Sequence, residues 1–205
     1  MPVAIRPFEA RDLDSLFAIS LATGLAGGDA SSLYDDPRMM GLIYSAPYAL
    51  LDPDLALVVE DEQGVAGFAV GTVATSSWER RLDREWWPSL RRQYADPAHT
   101  PAASRIPDQR RAFMIHHPTQ TPPAVAAKYP AHLHLNLLAR LQRQGVGSKL
   151  FDAWLALAAD RGAAALHVAV NRANARAIRF WARQAFKELL LEGLPEGRTV
   201  WMGRS

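Results

Sequence analysis

Gln142-Arg143-Gln144-Gly145-Val146-Gly147-Ser148 is the stretch that decides how this chain folds. Before it stands Leu133-His134-Leu135-Asn136-Leu137-Leu138, alternating in the manner of a strand. After it Leu150, Phe151, Trp154, Leu157 and Ala158 share one face of a helix from about Gly147 to Arg161. A strand that passes through glycines into a helix aims backbone N–H groups and the positive end of the helix at one spot, which suits a phosphate. Glycine fits there because a Cβ at Gly145 or Gly147 would obstruct the anion or forbid the backbone angles of the turn. Taken alone, Gly-x-Gly at such a junction is equally an ordinary turn. A dinucleotide fingerprint would need a third glycine and an acidic residue about twenty positions on, and a P-loop would need Gly-Lys-Ser/Thr; neither pattern is present.

Downstream, the pattern continues as a strand over Leu166–Val170 and a helix from about Ala173 to Ala185, with Ile178, Trp181, Ala182 and Ala185 on one face. Strands near Lys187–Leu191 and Thr199–Met202 follow. Upstream, Val3–Arg6 reads as a short strand and Ala10–Thr23 as an amphipathic helix. Gly24–Asp36 reads as loop. The two apolar runs Leu55–Glu60 and Val65–Val73, separated by Asp61-Glu62-Gln63-Gly64, predict a β-hairpin. Between about 74 and 128 the texture changes to aromatic, arginine-rich and proline-containing segments, which read as a helical insertion on the same domain. The expectation is one α/β domain over residues 1–205.

A chain of 205 residues can build one full core. Its 23 basic and 21 acidic residues leave a net charge of only +2, so nucleic acid is not an expected partner. Cysteine is absent, which excludes disulfides and a thiolate nucleophile. The N-terminus meets charge before any apolar run of signal-peptide length, and nothing later has the length of a membrane span. The chain is therefore expected in the cytoplasm, with no membrane partner; a homodimer is compatible with this reading.

Gln142, Gly145 and Gly147 match the pyrophosphate motif Gln/Arg-x-x-Gly-x-Gly/Ala of the GNAT acyltransferase superfamily, and Asn174, Ala177, Phe180-Trp181 and Ala185-Phe186 resemble its second motif at the expected distance. The hairpin Leu57–Val73, Trp87-Pro88 to Tyr94, Tyr129-Pro130-Ala131-His132-Leu133 and Gly203-Arg204-Ser205 are similar to the acetyltransferase-like C-terminal domains of O-GlcNAcases and their freestanding bacterial relatives. The resemblance implies a GNAT fold. This is a mixed central sheet of about six to seven strands flanked by helices, with the insertion between the third and fourth strands. It further implies acetyl-CoA as cofactor, held by Gln142, Arg143, Gln144, Gly145, Val146, Gly147 and Ser148, with Asn174, Phe180 and Trp181 beside it. It also implies a splayed strand whose backbone at Leu137, Leu138 and Ala139 bonds the pantetheine arm.

The activity implied is acetyl transfer to a primary amine on a small molecule or peptide. That chemistry needs a deprotonated amine, a polarised carbonyl and a proton for the departing thiolate. Regular pleating places His132, His134 and Asn136 on one strand face, so His134 or His132 is the candidate base. Trp181 stands where many relatives carry a tyrosine acid, and its indole cannot donate a proton; Ser148, another hydroxyl or water takes that role. Trp181 and Asn136, where relatives often carry Asp, also favour a second reading, a non-catalytic acyl-CoA sensor or interaction module. A nucleotide-binding regulator using the same turn is a third.

Other clusters have plain readings. His116-His117 diverge and lack a wider ligand set, so no metal is expected. Trp78, Trp86, Trp87 and Tyr94 read as anchors of the insertion or as an acceptor pocket. Arg80, Arg81, Arg84, Arg91 and Arg92 read as a solvated face, or as partners of an acidic acceptor or the 3′-phosphate of CoA. Tyr34, Asp35 and Asp36 lie in the early loop that often closes over the acceptor in the superfamily, and ordinary turn chemistry explains them equally well.

Overall fold

One mixed sheet of seven strands, in the order β1-β2-β3-β4-β5-β7-β6, runs through the molecule. The computed structural model describes residues 3–194 and 197–205. β1 (Ala4–Pro7), β2 (Ala56–Asp61), β3 (Gly64–Thr72) and β4 (Ala131–Leu137) pair antiparallel in succession. β5 (Leu166–Asn171) joins β4 in parallel, and β7 (Thr199–Arg204) pairs antiparallel with both β5 and β6 (Lys187–Glu188). The hairpin expected between β2 and β3 forms because Asp61 Oδ1 accepts from Gln63 N at 2.9 Å and Gly64 takes φ 97°, an angle that favours glycine. The strand expected over Lys187–Leu191 is shorter, although Leu189 N still donates to Trp201 O at 2.8 Å.

Alternation along the strands separates two cores. Leu57, Val59, Ala69, Leu133 and Val168 face α8 (Val146–Asp160) and α9 (Ala175–Arg183), burying Leu150, Phe151, Trp154 and Trp181. Gly71 permits this contact: a Cβ there would stand 2.6 Å from Trp154 Cζ2 and closer still to His132 O. The Trp154 indole is satisfied by donating to Leu55 O at 2.9 Å.

On the opposite face Val58, Phe68 and Val70 meet α1 (Leu13–Ala22), α2 (Met39–Tyr44) and α3 (Ala46–Leu51). α2 carries no amphipathic signal, since Met39, Met40, Gly41, Leu42 and Ile43 are all buried. Four further helices connect β3 to β4: α4 (Thr75–Glu85), α5 (Trp87–Gln93), α6 (Pro107–His116) and α7 (Pro123–Lys128). They anchor through buried Trp78, Leu82, Trp87, Leu90 and Ile115. Proline in the first turn of α5, α6 and α7 fixes where each begins. Among the described residues no helix is long and apolar enough to cross a membrane.

Candidate active site

The pairing of β4 with β5 stops after Ala131↔Leu166 and His132↔His167, so the two strands part toward the C-terminal end of β4. Register decides which backbone groups face the gap. The antiparallel ladder to β3 uses the even residues, as the bond from Leu138 N to Ala66 O at 2.8 Å shows, so N–H and C=O of Leu133, Leu135 and Leu137 point the other way. Gln142 Nε2 donates to Leu137 O at 2.7 Å and covers one of these. Leu137 thus lies at the gap as expected. Leu138 spends its amide on β3 and Ala139 opens a 3-10 turn over Ala139–Leu141, so Leu135 is the better-placed neighbour.

Beyond that turn α8 begins at Gly145, whose φ of 76° is left-handed, as is that of Arg143 at 61°. A Cβ on Gly145 would meet nothing within 4 Å, so backbone angle alone selects that glycine. Gly147 answers to contact instead: a Cβ would lie 3.2 Å from Phe180 Cε2 and 3.4 Å from Leu137 Cδ1. Both open onto a groove of about 420 Å³ that Leu137, Gln142, Arg143, Ser148, Asn174, Phe180 and Trp181 also line. Val146 is not among them; its side chain is buried under the sheet, and exposed Gln144 donates back to Arg140 O at 2.7 Å.

Asn174 caps α9, accepting from Ala177 N at 3.0 Å. Arg176, not singled out from the sequence, braces the groove by donating to Gln142 Oε1 at 2.5 Å and to Gly27 O at 2.8 Å. Ser148 Oγ accepts from Gln184 Nε2 at 2.7 Å and keeps its own hydrogen to donate. Trp181 is 6% exposed and packs edge-on against Phe151, Phe180 and Phe186. Arg143, Arg176 and Arg183 line the groove with no carboxylate among the described lining residues, so its field selects anions.

The polar face of β4 separates into bound and free groups. Thr75 Oγ1 donates to Pro130 O at 2.7 Å and therefore accepts from His132 Nδ1, also at 2.7 Å; His132 Nε2 is left to accept from Tyr48 O–H at 2.7 Å. Both nitrogens of His132 are thus engaged, which fits a structural group rather than the base expected there. Asn136 Nδ2 donates to Thr23 Oγ1 at 2.6 Å, tying β4 to the end of α1. His134 has no hydrogen-bond partner among the described residues and packs edge-on to Tyr44 and Tyr48. Burial, with a lesser push from His167, lowers its pKa to about 4, so the ring is neutral near pH 7.

His167 also belongs to this face, though no sequence motif singles it out. It is 2% exposed, and its Nδ1–H donates to Tyr129 O at 2.6 Å, leaving Nε2 as an acceptor. Burial lowers its pKa, against the pull of the Tyr129 bond. The only sequence signal is its place between Leu166 and Val168, which puts it on the same sheet face as His132.

These histidines line a second cavity, of about 200 Å³, that adjoins the groove along β4: His132, Leu133 and His134 bound it, and the groove begins at Leu135. Tyr44, Tyr48, Trp78, Trp87, His167 and Trp201 supply its aromatic walls. Trp86 instead donates to Leu42 O and Tyr94 to Asp36, so both anchor helices. The loop residues Tyr34, Asp35 and Asp36 are pinned to α6 through Arg111 and Asp108. His116 and His117 bond separately to Tyr94 O and Asp96.

A model of the acetyltransferase (GNAT) family matches residues 29–186. The solved structure titled SsHAT is 33% identical, with a TM-score of 0.89 over 100% of this chain and 98% of that one. The PaiA N-acetyltransferase of Thermoplasma acidophilum, solved in complex with coenzyme A, shares the fold at 13% identity and a TM-score of 0.55, covering 100% and 99% of the two chains. Protein O-GlcNAcase of Rattus norvegicus is 22% identical over 98% of this chain, which spans 22% of that relative's length.

Proposed function

The chain belongs to the acetyltransferase (GNAT) family, and on that premise we propose that it carries the acetyl group of acetyl-CoA to a primary amine by direct attack in a ternary complex. The observation that carries the reading is the junction on β4. An arginine-lined groove with a helix N-terminus meets an aromatic cavity there, and His134 is the side chain at the boundary with no hydrogen-bond partner among the described residues. The donors fit the ligand: the amides at Gly145–Ser148 and Arg143 face the diphosphate, and the gap-facing backbone of Leu135 and Leu137 pairs with the pantetheine amides. That a protein of the same fold, the T. acidophilum N-acetyltransferase, was solved with coenzyme A supports acetyl-CoA as the ligand.

Bound there, the thioester supplies an electrophilic carbon, and the new N–C bond forms as the C–S bond breaks. His134, neutral and desolvated, takes the proton that the nitrogen loses on attack. Ser148, with its hydroxyl hydrogen free, or a water returns a proton to the sulfur. Trp181 seals the groove floor against Phe151 and Phe186 and takes no part in proton transfer. The whole of residues 1–205 acts as one catalytic domain, with α4, α5, α6 and the segment 118–121 forming one wall of the acceptor cavity. A second reading, an acyl-CoA sensor, draws on the absence of a hydroxyl at Trp181 and on the occupation of Asn136 by Thr23.

Calorimetry with acetyl-CoA and a thiol-release assay over an amine panel separate the readings. Catalysis predicts release above hydrolysis, and His134→Ala should then lower kcat about a hundredfold while acetyl-CoA affinity stays unchanged. Tight binding with no release for any amine would leave the sensor.

A further inference from the structure

His167 reaches the cavity from β5 with one ring nitrogen committed and the other not. A carbonyl can only accept, so the 2.6 Å contact with Tyr129 O places the hydrogen on Nδ1 and leaves Nε2 a bare lone pair. Burial holds the ring toward the neutral form and so keeps that lone pair unprotonated. The residue is 2% exposed, and Nε2 has no hydrogen-bond partner among the described residues. The buried side-chain nitrogens and oxygens that are both unpartnered and sealed are the indole nitrogens of Trp78 and Trp201 alone. Nε2 is therefore unpartnered without being sealed, and the space it opens on is the cavity that its ring lines.

The hydroxyls of the cavity wall are committed elsewhere. Tyr48 donates to His132 Nε2 at 2.7 Å, Thr75 to Pro130 O at 2.7 Å, and Tyr44 toward Met114 Sδ at 3.7 Å. Buried polar atoms in folded proteins are nearly always satisfied by protein, water or ligand, so a lone pair held ready in this way calls for a donor from outside the chain. His134 is absorbed by the proposed reaction; His167 lies level with His132, farther from the groove, and is not.

The surroundings select the kind of donor. Ala169 and Trp201 flank His167 on the sheet, while the charged side chains that line the cavity among the described residues, Glu79 and Asp83, come from α4. Glu79 accepts from Thr121 N at 2.8 Å, and Asp83 faces Arg91 at 3.5 Å. An ammonium at His167 would give up its hydration for a neutral ring, a cost that a hydroxyl escapes.

We propose that His167 Nε2 forms a hydroxyl-binding subsite, accepting from the O–H of a small alcohol or phenol bound in the cavity. The subsite stands without the transferase reading. Only its further consequence rests on that reading: the hydroxyl is then the far end of the acetyl acceptor, which becomes an amino alcohol or an aminoalkyl phenol. Size agrees, since about 200 Å³ holds a compact molecule.

The test titrates phenol, p-cresol and 1-butanol into the full chain near pH 7, alongside fluorobenzene, 4-fluorotoluene and 1-fluorobutane, in which a fluorine of similar size replaces the hydroxyl and cannot donate. At least one hydroxyl compound should bind about fivefold more tightly than its fluorinated partner, as one hydrogen bond to a buried acceptor implies. Its binding should move the imidazole ¹⁵N signals that are missing from His167→Asn. That variant keeps an N–H for Tyr129 O and removes the acceptor, so it should erase the preference. If it does not fold, the pairwise preference of the native chain decides alone. No binding by any of the three hydroxyl compounds, equal binding within every pair, or a preference that survives in His167→Asn overturns the subsite. A preference that disappears in His167→Asn, together with no thiol release from acetyl-CoA for any amine, upholds the subsite and overturns the transferase reading instead.

Discussion

The groove and the cavity meet on one strand and are opposites in chemistry. The groove is cationic and open, its walls formed by backbone amides, a helix end and three arginines. The cavity is aromatic, its histidines held toward the neutral form by burial, and among the described residues its only charged side chains are two carboxylates. Anion binding needs exposed dipoles and cations that water can reach before the ligand does, whereas a base for an amine must be kept from water and unprotonated. A single β-strand satisfies both because its groups alternate: backbone of odd residues faces the β5 gap, and the side chains of His132 and His134 face the cavity.

The largest expected effect breaks the groove alone. Gly145→Val forces a β-branched residue into φ 76°, and Gly147→Leu drives a side chain against Phe180 and into the groove. Together they should lower acetyl-CoA affinity by about a thousandfold or more, several charge-assisted backbone contacts being lost at once. Circular dichroism should be unchanged. Undiminished acetyl-CoA affinity in a folded double variant would show that the helix end does not hold the diphosphate.

Next in size is an effect confined to the cavity. His132, His134 and His167 have folded pKa values below the unfolded value of about 6.5, so the unfolded chain binds protons first as pH falls. Their neutrality costs nothing above pH 7, and stability drains away between about pH 6.5 and pH 4. For His134, with its pKa at about 4, the loss reaches about 3 kcal/mol by pH 4 at roughly 1.4 kcal/mol per unit. Urea unfolding across that window should show stability rising with pH, and His134→Gln should flatten the slope by about one proton. Equal slopes for the two proteins would mean that His134 titrates as a solvated ring. The carboxylates of Asp12 and Asp61, lowered first by hydrogen bonds from Arg6 and Arg140, lose stability at still lower pH and in the same direction.

How far each region could be read from sequence follows from how it is built. The groove is mostly local: apart from Thr23 and Gly27 its lining lies within residues 135–183, so the glycine turn points to Gln142, Gly145, Gly147 and Ser148, and the family resemblance adds Asn174, Phe180 and Trp181. Which backbone groups of β4 face the gap is not legible in its own pattern, since the parity of the ladder depends on register with β3. The cavity is non-local, drawing on residues from Ile43 to Trp201, and its helices α2 and α3 are buried nearly all round and show no period. His132 and His134 were visible as a pair, but only Tyr48 and Thr75 distinguish the bound ring from the free one. Neither partner is near in sequence. Arg176 and His167 had no pattern to announce them, since each acquires its role from a carbonyl far along the chain.

The smallest expected effect asks whether one residue serves the groove by structure or by contact. Asn174 accepts from Ala177 N as the cap of α9, and its Nδ2 lies beside Gly27, so close that a Cβ on that glycine would be 2.9 Å away. Asn174→Ala removes cap and amide together and should cost about 1 kcal/mol of stability. Asn174→Asp keeps the acceptor for Ala177 N and adds a negative charge where the lining is otherwise cationic. If the residue only caps the helix, the alanine variant will lose stability and keep its acetyl-CoA affinity, while the aspartate variant, whose charge stands in the groove lining, will keep its stability and lose affinity about fivefold to tenfold. If its amide faces the cofactor, the alanine variant will lose affinity as well, by about fivefold.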